Sequence, residues 1–352
     1  MNAIKIAILV TDFTLGGIQN YVRTNAKLLK EMKHKVSIIA INDAHVFEDF
    51  EVISLNKLSA YKKPLFIRQF INDNSIDVLM DHRTKLSFIK HKIYDFLLRK
   101  TPKIQFIHSA NFNLYFYTYC LLDKLAYKHT AIFISVSKHI NQLVNQKLNK
   151  ESDVLYHFIE QNTENDYKNN KKDIIFVGRF ENNVKDLTFL LNAYKISELH
   201  LKNVAFHFIG DGNDKNLISE FALKNNLTNF IQLHAAENDL ETSYKQAKVV
   251  VLASHFEGFP LVLMEALHYG TPVITTPFND SVFELVQHNF NGIVVEKKLD
   301  SFADALNKMC CNDQFYNTLL QNIEKHNDLF TKDIAIKKWE TIFEKLFKNR
   351  IT

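Results

Sequence analysis

The feature that most constrains the fold of this chain is an alternation kept up over nearly its whole length. Short apolar runs rich in β-branched residues are each followed by an amphipathic stretch long enough for a helix, the pattern of parallel βαβ units. In the first half the strand candidates are KIAILV, KVSIIAI, IDVLMD, KIQFIH, AIFISV and DVLYHF. The segment QNTENDYKNNKK, residues 161–172, interrupts them without a single aliphatic side chain and reads as an inter-domain linker. The pattern then restarts with DIIFVGRF, VAFHFIG, FIQLH, VVVLAS, PVITT and GIVVE. At 352 residues the chain is too long for one ordinary core. The expectation is an α/β protein of two Rossmann-like, doubly wound domains, 1–160 and 173–331. Three helical segments follow from about Ser301, and the last, roughly 332–352 with the only tryptophan, Trp339, is long enough to pack back on the first domain.

Composition narrows the setting. A hydrophobic share of 46% with 23% charged residues is that of a soluble globular protein. The apolar runs reach about seven residues, far short of the ~20 that span a bilayer. The start carries no basic region and no cleavage site of the secretory kind. Cys120, Cys310 and Cys311 make neither a disulfide framework nor a zinc pattern, so a reducing, cytoplasmic setting is expected. Charge is unevenly spread: residues 1–160 hold 22 Lys and Arg against 14 Asp and Glu, and the remainder 21 against 25. A basic first half suits an anionic partner such as nucleic acid, a membrane surface or a phosphorylated substrate, or is simply a solvated face.

Glycine is scarce, 8 residues in 352, so each one marks a place where a Cβ is not tolerated. Most fall just after a strand candidate, at the carboxyl edge where open α/β sheets bind ligands. Gly16 and Gly17 stand between the first strand and a helix beginning near Ile18, where helix N–H groups attract phosphate; a tight structural turn is the plainer alternative. Gly270 reads as a helix stop, and Asn291-Gly292 as a turn.

Two charged constellations are candidates for chemistry. In FVGRFENNVKDLTFLL, Arg179 ends a strand and Lys185 opens the next helix, so a guanidinium fork and an ammonium would project from one strand-end loop. Together they suit a diphosphate, though two surface cations would look the same in sequence. In EGFPLVLMEALHYGTPVI, Glu257 lies in a loop, Pro260 suits a first helical turn, and Glu265 falls about one and a half turns further on. Backbone N–H groups from Gly258 through Phe259 to Leu261 would face an anion at that helix start. Glu265 sits among Leu263, Met264, Ala266 and Leu267, so it needs hydrogen-bond donors, either ligand hydroxyls or a nearby Lys or Arg.

Taken together, VVVLASHFEGFPLVLMEALHYGTPVITT resembles the E-x7-E signature of retaining glycosyltransferases of GT-B fold, in particular glycosyltransferase family 4. VGRF with its downstream lysine, FIGDG, the FNGIVVE tail, the early GG and FIHS extend the likeness. The resemblance implies two Rossmann-like domains facing a cleft that holds a nucleotide-sugar donor, with no metal or other cofactor. It implies that Arg179 and Lys185 bind the donor diphosphate, Glu257 the donor sugar and Glu265 the ribose hydroxyls. Gly258, Phe259, Pro260 and Leu261 would form the donor-facing helix start, Gly16 and Gly17 would approach the phosphates, and His108 would sit near the reacting carbon. The chain departs from the pattern in three places. Lys185 is six residues after Arg179 where five is commoner; Asn279, Asp280 and Ser281 replace a frequent glycine pair; Ala235 replaces a glycine after FIQLH.

The activity expected is retaining transfer of a hexose or N-acetylhexosamine, with UDP the favoured carrier, to a growing surface glycan, lipopolysaccharide or lipid-linked acceptor. Nucleic acid is not an expected partner on this reading. A nucleotide-sugar 2-epimerase of the same architecture and an inactive donor-binding partner subunit are the rival readings; no lysine-centred motif supports a PLP phosphorylase. Residues 111–128, NFNLYFYTYCLLDKLAYK, form an aromatic helix candidate that would either pack on its own sheet or meet a membrane or lipid-linked glycan. The basic first half leaves room for peripheral contact with anionic lipid on the inner face of the cytoplasmic membrane.

Overall fold

A computed structural model describes residues 3–14, 16–44, 50, 52–150, 152–159, 171–235, 240–325 and 330–348. The chain divides into two compact units, Met1–Phe158 with Lys332–Thr352, and Ile159–Thr331. Most of the linker expected at 161–172, up to residue 170, lies outside the described residues.

The first unit runs β1 (Lys5–Val10), α1 (Gly17–Glu31), β2 (Lys35–Ala40), β3 (Val52–Ser54), α2 (Lys62–Asp73), β4 (Val78–Asp81), α3 (Phe88–Leu98), β5 (Lys103–Ile107), α4 (Cys120–Ala126), β6 (Thr130–Ser135), α5 (Lys138–Leu148) and β7 (Asp153–Val154). Its strands form one parallel sheet in the order β3-β2-β1-β4-β5-β6-β7. Strands covered on both faces need apolar side chains at successive positions, and Ile6 to Val10 are all buried. On one face, Ala7, Leu9, Ile39, Leu79, Ile67, Ile71 and Leu98 form a continuous core.

The second unit runs β8 (Ile174–Val177), α6 (Asn182–Lys185), α7 (Leu187–Ser197), β9 (Phe206–Ile209), α8 (Lys215–Lys224), β10 (Ile231–His234), α9 (Glu241–Gln246), β11 (Val249–Leu252), α10 (Leu261–His268), β12 (Val273–Thr275), β13 (Gly292–Val294), α11 (Leu299–Cys311) and α12 (Asp313–Lys325). Its sheet is again parallel, in the order β10-β9-β8-β11-β12-β13. Close backbone approach explains several glycines. A Cβ on Gly210 would lie 2.0 Å from Gly178 O, and one on Gly212 2.5 Å from Phe180 O. Gly270 stops α10 at φ 73, with Thr271 N donating to Ala266 O at 2.8 Å and Gly270 N to Leu267 O at 3.1 Å. Gly292 is not simply a turn residue: it opens β13, where a Cβ would meet Val273 O at 2.6 Å.

The last helix, α13 (Lys332–Lys348), belongs to the first unit. Its Trp339 is fully buried, donates through Nε1 to Asn25 Oδ1 of α1 at 3.0 Å, and stacks on Phe343 with ring centres 5.3 Å apart. Lys345 adds an ion pair to Asp153 at 3.0 Å.

Three local expectations change. Residues 111–128 are not one helix: a short turn over Phe112–Leu114 precedes α4, which begins only at Cys120. The break has a cause, since buried Asp123 accepts the Tyr117 N–H at 2.7 Å and turns the chain ahead of the helix. Tyr115, Phe116 and Tyr127 are buried while Tyr119, Leu121 and Leu125 are exposed, so the segment divides between core and surface. β3 was not among the strand candidates, and DVLYHF contributes only the two residues of β7.

Replacing Trp339 with alanine removes the largest buried side chain holding α13 and leaves Asn25 without its donor, an expected loss of about 3–5 kcal/mol. Urea unfolding followed by circular dichroism should place the variant's midpoint well below that of the parent.

Candidate functional site

In the second unit, chain order reverses between β8 and β11: β9 and β10 lie to one side, β12 and β13 to the other. At such a switch point the loops leaving neighbouring strands part and open a crevice at the carboxyl edge. The loop after β8 carries Gly178, Arg179 and Lys185; the loop after β11 carries Ser254 to Pro260. They are joined by an ion pair, Lys185 Nζ to Glu257 Oε1 at 2.5 Å, and both side chains are largely shielded. Ser254 Oγ donates to the same carboxylate oxygen at 2.7 Å. Asn279 Nδ2 holds the Glu257 carbonyl at 2.7 Å, and His255 N donates to Val184 O at 2.8 Å. Glu257 is thus fixed through its side chain and its backbone at once. An ammonium has three donors, and Glu257 takes one of those on Lys185.

Lys185 does not open the long helix, as expected, but ends the one-turn α6. Asp186 follows in the left-handed region at φ 50, where it caps α7 by accepting from Phe189 N at 3.2 Å. Lys297 meets the same aspartate at 2.8 Å, which anchors this unusual backbone from across the sheet edge. Arg179 has a side chain that is 67% exposed and pairs with Glu181 at 2.8 Å. An exposed pair of that kind is worth little and is readily exchanged for another anion.

α10 begins after Pro260 with no side-chain cap, and its first ladder bonds are Leu263 N and Met264 N to Pro260 O at 3.0 and 3.3 Å. The N–H groups before them have no partner within the helix and lie at its positive end. Of the residues expected there, Gly258 and Leu261 are partly accessible, whereas Phe259 and Pro260 bury their side chains, Phe259 with its ring 5.7 Å from that of Phe330. Any contact from Phe259 or Pro260 to a ligand would therefore come from the backbone. Glu265 is satisfied neither by Lys nor by Arg: its Oε2 accepts from Tyr244 Oη of α9 at 2.7 Å. Burial pushes its carboxyl up to about 7, partly countered by that hydrogen bond.

The first unit has its own switch point, between β1 and β4. Gly16 caps α1 and Gly17 is its first residue; a Cβ on Gly16 would fall 2.6 Å from Gln19 Oε1. Gln19 in turn donates to Asp12 O at 3.1 Å, closing the loop after β1. His108, just past β5, is buried, with its ring 2.9 Å (Nε2) from His82 Nδ1 and its backbone N donating to Tyr115 Oη at 3.2 Å. Burial lowers the His108 imidazole to about 3, so it is neutral at physiological pH. Tyr21 stands edge-on to it at 5.1 Å. Asn279 stood in the sequence only as a departure from the usual glycines, and Ser254, Tyr244 and His82 escaped sequence reasoning. Of these only His82, directly after the strand run IDVLMD, stood at a position that could have been marked.

Among the described residues no group of three His, Cys, Asp or Glu side chains is placed to hold a metal, and no helix is long and apolar enough to cross a membrane.

Residues 158–326 match the family model described as "Glycosyl transferases group 1". A Campylobacter jejuni N-acetylgalactosaminyltransferase, named for a GalNAc-containing diphospho-undecaprenol acceptor, is 24% identical over 95% of this chain and 97% of its own. The pneumococcal O-GlcNAc transferase GtfA, solved with UDP and GlcNAc, superposes with a TM-score of 0.80 at 13% identity over 99% of this chain and all of that one. Anabaena HepE, solved with UDP and glucose, gives 0.79 at 17% identity over 97% and 100%. The architecture is that of the GT-B glycosyltransferases.

Because the carboxyl of Glu265 is raised in the folded state, the stability it contributes is present below its unfolded pKa and is lost as pH climbs through about 7. Glu265→Gln, which keeps an acceptor for Tyr244, should raise the melting temperature of the ligand-free protein by about 3 °C or more at pH 8 and by much less at pH 5. Paired thermal melts at the two pH values check this.

Proposed function

We propose that this chain, a GT-B glycosyltransferase with a glycosyl transferases group 1 domain at residues 158–326, moves a hexose or N-acetylhexosamine from a nucleoside diphosphate sugar with retention of configuration. The observation that carries the reading is the Lys185–Glu257 pair at the switch point of the second unit, beside the uncapped start of α10. A cation, a carboxylate and a helix start whose first N–H groups have no partner within the helix are what a sugar joined to a diphosphate requires. Negative charge grows on the departing phosphate during transfer, so Lys185, Arg179 and the α10 N-terminus act where they lower the barrier most. Arg179 exchanges Glu181 for a phosphate oxygen. Glu257, held by Ser254 and Asn279, accepts from the donor sugar's hydroxyls. Glu265 in its ionised form accepts from the ribose hydroxyls, which supply the donors that Tyr244 alone does not.

The acceptor hydroxyl attacks on the face the phosphate leaves, and the departing phosphate takes its proton; no covalent enzyme intermediate forms. The roles of Gly16 and Gly17 toward the phosphates, and of neutral His108 in orienting or polarising the sugar, belong to the same proposal. UDP as the carrier is supported by its presence in two solved relatives of the same fold. A lipid-linked glycan as acceptor is supported by the name of the Campylobacter relative, and peripheral contact with anionic lipid goes with such an acceptor.

A thermal-shift screen of UDP, GDP, ADP and their sugars tests the donor: UDP compounds should raise the melting temperature by several degrees, since they bind only the folded state. Arg179→Ala and Lys185→Ala should each reduce turnover of the responding donor by about 10²-fold or more. Unchanged rates in both variants would remove the diphosphate assignment. Conversion of the donor to an epimer, without transfer to any acceptor, would favour the 2-epimerase reading instead.

A further inference from the structure

The steps from β3 to β4, β4 to β5 and β5 to β6 all run the same way across the first sheet, whereas β1 to β2 runs the opposite way. Right-handed crossovers therefore place α2, α3 and α4 together on the face opposite α1. Lys92 of α3 fastens α3 to α4 by donating to Leu125 O at 2.9 Å.

α3 turns His91, Asp95 and Leu98 toward the sheet and leaves Ile89, Ile93 and Phe96 exposed at 74%, 46% and 56%. Their spacing of four and three residues sets them in one row along the outer side. α4 repeats the arrangement with Leu121 and Leu125. Charge on the two helices is sorted by sign. Their only carboxylates are turned inward: Asp95 beneath His129 at 2.7 Å, Asp123 against Lys147 at 3.6 Å. The exposed charges on and just beyond them, Lys90, Arg99, Lys100, Lys124 and Lys128, are all cationic. Arg99 lays its guanidinium over the Phe96 ring at 4.2 Å, the posture of a long cation reaching past an apolar neighbour.

The geometry points to the outer face of α3 and α4 as a docking surface for an anionic phospholipid membrane. Aliphatic and aromatic side chains enter the headgroup boundary while the surrounding ammonium and guanidinium groups meet lipid phosphates. A second copy of the chain fits poorly, because a two-fold contact would bring cations against cations. This names the surface for the membrane contact proposed above and is independent of the donor assignment, so either can fail alone.

Co-sedimentation with phosphatidylcholine vesicles containing about a third phosphatidylglycerol, against phosphatidylcholine alone, tests it at about 0.1 M salt. The protein should bind the anionic vesicles and not the neutral ones. Ile93→Ser with Phe96→Ser, and separately Lys124→Glu with Lys128→Glu, should each weaken binding about tenfold. Both pairs are surface changes, and an unaltered melting temperature and UDP response would show the fold and the donor site intact. No binding to anionic vesicles, or binding that both double variants retain in full, would overturn the assignment. So would a dimer in vesicle-free solution that these substitutions dissociate, since the face would then belong to a second copy.

Discussion

Every strand pairing in both described sheets is parallel, and the rest follows from that constraint. Parallel neighbours cannot be joined by hairpins, so each strand hands over to a crossover and the carboxyl ends of a sheet all gather at one edge. Where strand order reverses, the loops at that edge separate and their side chains can surround a ligand. In the second unit the loops after β8 and β11 meet there, and Lys185 and Glu257 bind them together at 2.5 Å. Neither charge needs a ligand to be satisfied, yet each keeps hydrogen-bonding capacity beyond the pair. A site built this way is organised before the donor arrives, which reduces the ordering that binding must impose.

The two glutamates of the motif sit in different surroundings. Glu257 faces an ammonium and a hydroxyl in a partly wet loop. Glu265 sits on α10 with a single phenolic donor and a carboxyl raised to about 7. Glu265 is therefore strained in its ionised form until further donors reach it, whereas Glu257 is held ready. His108 is a third case: sealed against His82 and Tyr21, it is neutral, so it can orient or polarise but does not bring a positive charge.

Fold class was legible because buried parallel strands leave long apolar runs, and the pieces VVVLAS and DIIFVGRF map directly onto β11 and β8. Gly270 was legible too, since a helix stop in the left-handed region is a local demand of the backbone. What sequence hid depended on distant partners. The left-handed Asp186 is held by Lys297, more than a hundred residues on, and no local pattern marks it. Tyr244 reaches Glu265 from another helix, and Asn279, noted only as a departure from the usual glycines, holds the Glu257 carbonyl. The aromatic segment 111–128 looked like one helix because its composition is uniform; the buried Asp123 that breaks it acts through its side chain on the Tyr117 backbone.

The central claim is that Lys185 and Glu257 work as one unit on the donor. A double-mutant cycle on kcat/KM with Lys185→Met and Glu257→Gln tests it most directly. Each single change should lose about 10²-fold or more, and the double variant should lose little beyond the worse single, because either change already dismantles the pair. Losses that multiply, or a Glu257→Gln variant as active as the parent, would contradict the account.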